Sequence, residues 1–348
     1  MGCIKAGYQV CCSSINSFKA TTFFVVHWKR AHNSCRCYAQ DERIIIRGAF
    51  LEQYNMELAY DYPLYRPPSE ANSLIFQVTL GCSFNKCSFC NMYRTKEYAE
   101  RPWEEIRAEI DMMAKLYPDT RRIFLADGDA LNMSKDRLVQ ILEYLYQKFP
   151  SIERISCYAM PKNLLQKTDE ELKALYAAGL HMFYVGIESG NDVVLKKVTK
   201  GATGRSIVQA CSKAKKHGYV LSCMVILGLG GRKYTKEHIA DTAKVLGEIA
   251  PDYVGALTLY LEEGVRDEFM SKYGEPFEFI DDVEVLDELE RLVRGFDPKT
   301  PVVFRANHAS NVYSIGGTMP DDRGRILSLI EGLKAHPEML KPKFLRRF

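Results

Sequence analysis

Three cysteines crowd into one short run, GCSFNKCSFCNMYR, at Cys82, Cys87 and Cys90. Thiolates at such spacing are metal ligands before they are anything else in a long chain with no convincing secretory signal. A structural zinc site closes on four ligands, and the nearest downstream histidine, His181, is far away in sequence. A 4Fe-4S cube held by three thiolates leaves one iron open, and that iron can chelate the amino and carboxylate groups of a sulfonium substrate. Zinc completed by a distant fourth ligand is the competing reading.

The elements around the triad set its position. From about residue 73 short apolar or β-branched runs alternate with longer amphipathic stretches, the pattern of βαβ units around a parallel sheet. The runs Leu74–Leu80, Arg122–Ala126, Arg154–Tyr158, Met182–Ile187, Val220–Leu227 and Tyr253–Leu259 read as six buried strands. Helices are expected after Ser134, after Thr168 with Glu171 completing a capping box, and after Thr203; Gly179 and Gly218 suit helix C-termini. The fold class is therefore α/β, a partial (β/α)6 barrel over 73–262 with a short α/β extension over 263–348. An open doubly wound sheet is the rival topology. In a barrel, reactive groups sit on loops at the C-terminal strand ends, which is where the cysteine loop falls.

With the loop and its preceding strand in place, the chain resembles the radical SAM superfamily, whose first barrel strand leads into three clustered cysteines with an aromatic residue before the last. Phe89 holds that aromatic place. The resemblance implies a 4Fe-4S cluster on Cys82, Cys87 and Cys90 and S-adenosylmethionine (SAM) beside it, with Phe89 against the adenine. It assigns Gly128 and Asp129 of LADGDAL to the methionine amino group, with Asp127 where the family's first glycine would stand. It assigns Glu188 of YVGIESG to the ribose hydroxyls. It assigns Val225, Leu227 and Gly228 of SCMVILGLGG to the adenine, with Gly230 and Gly231 clearing space. Taken without the resemblance, Asp127–Gly128 is an ordinary turn, Glu188 a solvated strand-end charge, and the glycine run a phosphate loop lacking its Lys-Ser/Thr. One departure is visible: four residues, Ser83–Lys86, separate the first two cysteines where three are common. The implied activity is reductive cleavage of SAM to a 5′-deoxyadenosyl radical acting on an unassigned substrate, with a ferredoxin or flavodoxin as electron donor. The alternative is an iron–sulfur or haem carrier related to oxygen-independent coproporphyrinogen oxidases.

Two further features carry chemistry. Arg305, Asn307, His308, Ser310 and Asn311 lie within seven residues after a strand-like run, Val302–Arg305. An Arg beside a His and two amides can clamp a carboxylate or phosphate, and His308 can act as acid or base; a hydrogen-bonded loop explains the same residues equally well. Cys157, Cys211 and Cys223 read as core, although a lumen-facing Cys223 could quench a radical or carry a methyl group.

Residues 1–40 hold five basic side chains, several hydroxyls and no acid, the composition of a mitochondrial or plastid transit peptide. Leaving those five out, 42 basic and 44 acidic residues remain, which gives no broad footprint for nucleic acid. No apolar run approaches the ~20 residues of a membrane helix.

Overall fold

The structure, a computed structural model, describes residues 60–346, all within one compact unit. The transit-peptide expectation lies outside the described residues. The described residues form ten strands: β1 Leu74–Gln77, β2 Thr79–Leu80, β3 Ala99–Glu100, β4 Arg122–Ala126, β5 Arg154–Ala159, β6 Leu180–Glu188, β7 Val220–Leu227, β8 Tyr253–Thr258, β9 Val302–Ala306 and β10 Ile315–Met319. The main sheet runs β1-β4-β5-β6-β7-β8-β9-β10, with β2 and β3 paired apart. Within the main sheet every pairing from β1 to β9 is parallel, and β10 returns antiparallel along β9.

This order decides between the two topologies. Each strand's spatial neighbour is the next large strand in sequence, so the sheet has no point where strand order reverses. With right-handed crossovers, helices then collect on one face and the sheet coils around the other, as in a barrel. Among the described residues β1 and β10 pair with nothing beyond, so the barrel is partial.

Contacts across the sheet separate outward from inward side chains. Phe76 meets Phe149, just beyond the helix Lys135–Lys148. Phe183 stacks on Tyr219, whose hydroxyl donates to the Leu172 carbonyl of the helix Asp169–Ala177. These residues face the helices. The alternate positions Ile75, Phe124, Ala126, Tyr158, Met182, Tyr184 and Met224 pack together with Leu64 and line the lumen. Residues 60–73 run along that inner face. Glu70, fully buried, accepts from Ser73, from Arg154 at 2.7 Å, from Ser156 at 2.9 Å and from Tyr184 at 2.6 Å.

The expected caps are formed: Ser134 accepts from the Arg137 amide, and Thr168 makes a capping box with Glu171. Thr203 does the same with Ser206, each cap contributing about 1 kcal/mol. Two long helices, Trp103–Leu116 and Gly231–Ile249, lacked such a signal because they begin at Pro102 and Gly230, neither of which caps with a side chain. The expected strand Leu74–Leu80 is broken at Val78. There the Arg101 amide takes the Val78 carbonyl, and Thr79–Leu80 turns away to pair with Ala99–Glu100. That turn launches the cysteine loop.

Candidate active site

Loop residues 81–96 are held by their own polar groups. Arg94 spans the loop, its guanidinium donating to the carbonyls of Asn85 (2.9 Å), Cys87 (2.6 Å) and Cys90 (2.9 Å). Three bonds from one planar fork fix the backbone that carries two of the three cysteines. Asn85, at φ 42°, returns a bond to the Tyr93 carbonyl at 2.7 Å. At the loop's root, Asp127 accepts from Lys96 (2.8 Å), Gln77 (3.0 Å) and the Gly81 amide (3.1 Å). Asp127 therefore anchors the loop. The extra residue before Cys87 belongs to a stretch that sends Phe84 onto Gly201, where a Cβ would lie 2.5 Å from the ring.

Cys82, Cys87 and Cys90 are unpaired, partly buried thiols that sense one another's charge. Burial pushes all three up, Cys87 to about 12, while Lys200 pulls each of them down. Buried thiols of this kind ionise only beside concentrated positive charge, which coordinated iron supplies. Among the described residues no three His, Cys, Asp or Glu side chains are already drawn together around a metal-ion position. Lys200 makes a 2.9 Å ion pair with Glu188, whose backbone at φ 65° bends the tip of β6 inward. Burial opposes the Lys200 charge, yet Glu188 and the thiols hold its ammonium above the usual range. Sequence reading missed Lys200, because nothing local marks a lysine twelve positions past a strand end as its partner.

Polar atoms without a protein partner gather here. Asp129 is fully buried; Ser83 donates to one oxygen, the Asn163 side chain comes up to the carboxylate, and Oδ1 makes no well-formed hydrogen bond among the described residues. Burial pushes the Asp129 carboxyl up to about 6, against the pull of Ser83. Tyr93 OH and Ser88 Oγ are likewise buried and unsatisfied. Unpaired buried acceptors are costly, and their concentration beside the thiols marks a place built for a polar ligand. Gly128 sits between them: a Cβ there would strike the Tyr93 ring at 2.6 Å and approach Cys82 at 3.3 Å.

The tips of β6 and β7 are tied together from outside. His238, fully buried, meets the Ile226 carbonyl through Nε2 at 3.0 Å and Ser189 Oγ through Nδ1 at 2.8 Å. The carbonyl can only accept, so Nε2 carries the proton and Ser189 donates to Nδ1. Burial lowers this histidine to about 4, keeping it neutral. Gly228, at φ 81°, gives its amide to Glu288 at 2.6 Å; Thr235 donates to the other Glu288 oxygen at 2.6 Å. Phe89 packs against an apolar cluster that includes Val198, Ile226, Leu229, Leu259 and Phe269. Lys200, His238 and Glu288 thus join Phe89, Gly128, Asp129, Glu188 and the β7 tip around one region.

Residues 76–246 match the family model described as the Radical SAM superfamily. The chain belongs to the radical SAM superfamily. Curated relatives include the ribosomal protein uS12 methylthiotransferase RimO of Caldanaerobacter subterraneus subsp. tengcongensis, 25% identical over 56% of this chain and 45% of that protein. The heme chaperone HemW of Bacillus subtilis is 22% identical over 52% of this chain and 47% of its own. The chain spans less than half the length of these relatives. Among solved structures, methylornithine synthase (PylB) aligns with TM-score 0.46 at 16% identity, covering 65% of this chain and 63% of that one. Members of the superfamily use a 4Fe-4S cluster and SAM, and the thiol set and unsatisfied acceptors here fit both.

Other expected site residues lie elsewhere in this radical SAM protein. Cys223 points out of the lumen: its sulfur hydrogen-bonds to that of Cys211, on the helix Gly204–Lys216, and both are fully buried. Cys223 sits in the core as read, and the lumen-facing alternative falls, because β7 alternation puts it on the helix side. The late segment divides. Ser310 and Asn311 turn inward to bind Thr258 and the Ala256 carbonyl, and His308 pairs with Ser310. Arg305 lies exposed across β10, donating to the Phe304 and Gly317 carbonyls. With Asn307, Ser314, Thr318 and Asp322 it borders an open cavity of about 420 Å³. Arg305 and His308 therefore do not form one clamp. Among the described residues, no helix is long and apolar enough to cross a membrane.

Proposed function

We propose that this chain holds a 4Fe-4S cluster on Cys82, Cys87 and Cys90 and reductively cleaves SAM, directing the resulting 5′-deoxyadenosyl radical at a substrate still to be identified. The observation that carries the reading is the convergence, from separate strands and loops, of Asp129, Glu188 and Lys200 on the three thiols. The bound cluster supplies one electron to the sulfonium. The remaining work falls to the chain. Asp129, with an oxygen unspent, accepts from the methionine ammonium; Lys200 faces the carboxylate while Glu188 keeps its charge in place and reaches the ribose. Backbone at Val225–Gly228 and the Phe89 face hold the adenine, and Glu288 and His238 fix those tips. The apolar lumen excludes water from the reactive carbon. Arg305 and Asn307, on the open cavity, are assigned to the substrate. A one-electron donor of the ferredoxin or flavodoxin class completes the system.

The test is anaerobic reconstitution of the full chain, reduction, and addition of SAM. About four irons per chain and formation of 5′-deoxyadenosine support the enzyme. The second reading, a cluster or haem carrier, takes its only support from the likeness to a heme chaperone, 22% identical over 52% of this chain. It predicts a bound cluster, tight haem binding and no SAM cleavage.

A further inference from the structure

One way to quench a carbon radical in the lumen is to give it a hydrogen atom, and the outward turn of Cys223 removes one thiol that could have done so. A phenol O–H is weaker than the aliphatic C–H bond it would form, whereas the O–H of water is stronger, so a tyrosine can donate where water cannot. Tyr93, Tyr158 and Tyr184 cluster beneath the site, Tyr158 and Tyr184 with ring centroids 6.2 Å apart. Tyr184, 2% exposed, already gives its hydroxyl hydrogen to Glu70 at 2.6 Å. Tyr93, 4% exposed, is wedged against Gly128. Tyr158 alone of the three is only partly buried. One rung beyond the Leu125–Cys157 pairing it stands level with Ala126, two residues short of Gly128. It also lies within electrostatic reach of Cys90 and Asp127.

We propose that Tyr158 is a hydrogen-atom donor to a carbon radical in the lumen, an inference that rests on the radical SAM reading above. The phenol O–H breaks homolytically, its hydrogen atom forms the new C–H bond, and the unpaired electron passes to the phenoxyl oxygen. One electron from the ferredoxin- or flavodoxin-class reductant and one solvent proton then restore the phenol. Without substrate, the 5′-deoxyadenosyl radical itself is the acceptor.

The experiment uses the reconstituted full-length protein in D2O with SAM and dithionite, free of thiols and of added substrate. Exchangeable phenols then carry deuterium, and carbon-bound hydrogens do not. The expected product is 5′-deoxyadenosine with one deuterium, accompanied by a phenoxyl electron paramagnetic resonance signal that narrows when the protein is made with ring-deuterated tyrosine. In Tyr158→Phe both are lost, reckoned per 5′-deoxyadenosine formed, while iron content and visible spectrum match the parent and show the fold intact. Wild-type product without deuterium overturns the proposal, as does deuterium retained in Tyr158→Phe or lost instead in Tyr93→Phe or Tyr184→Phe. No 5′-deoxyadenosine at all from a four-iron protein removes the radical SAM reading, and this proposal with it.

Discussion

The cysteine loop and the Arg305–Asn311 segment are equally dense in chemistry-bearing side chains, yet the fold uses them in opposite ways. Around the loop, Asp129, Glu188, Lys200 and Phe89 arrive from different elements and leave acceptors unsatisfied. In the late segment, Ser310 and Asn311 spend their bonds on β8, and His308 spends one on Ser310. A site is marked by convergence with unspent polarity; a structural knot is marked by polarity consumed locally.

The largest effect that can break this contrast lies at the thiols. Replacing Cys82, Cys87 or Cys90 by Ala is expected to abolish cluster binding and with it all 5′-deoxyadenosine. Iron analysis and product chromatography read both losses. Full iron in any single variant would show that the triad is not the ligand set.

Lys200 comes next. Lys200→Met leaves Glu188, 12% exposed at its side chain, without its partner, and is expected to cost about 3 kcal/mol by denaturant unfolding. The double variant Glu188→Gln/Lys200→Met should recover most of that stability, because no lone buried charge remains, yet it should still bind SAM weakly. Recovery of stability and SAM affinity together would reduce the pair to scaffolding.

Glu288 gives a pH-dependent test from outside the barrel. Burial raises its carboxyl to about 7, so between the ordinary glutamate range and that value the folded protein holds a proton that the unfolded chain has released. Stability contributed by this group is therefore present at low pH and declines as pH rises towards 7, by about 3 kcal/mol in all. Glu288→Gln keeps an acceptor for the Gly228 amide without titrating. The slope of melting temperature against pH should flatten over that interval, and an unchanged slope would assign it to other groups.

Much of this could be read from residue order. Strand alternation, the caps at Ser134, Thr168 and Thr203, and the cysteine spacing are local signals, and each is present in the structure. Glu188 was visible at its strand end, but its partner Lys200 was not, since the pair forms only when the chain returns after an intervening helix. Glu288 reaches Gly228 across sixty residues, and no spacing rule connects them. Cys223 differs again: its burial was legible, but the sequence did not say which of the strand's two faces looked inward until β7 was seen beside its helix. Local pattern gives elements, while pairings between elements need the fold.

The smallest expected effect sharpens the comparison from the other side. Arg305 is exposed and donates to two carbonyls, one on β9 and one on β10, so Arg305→Ala should move stability by no more than about 0.5 kcal/mol. Its remaining donors face the open cavity, not the thiols. Uncoupled SAM cleavage should therefore proceed, whereas consumption of the true substrate should fall once that substrate is in hand. A variant that loses SAM cleavage would join the two regions into one site; a variant with full substrate turnover would leave the cavity as the edge of a capped strand and nothing more.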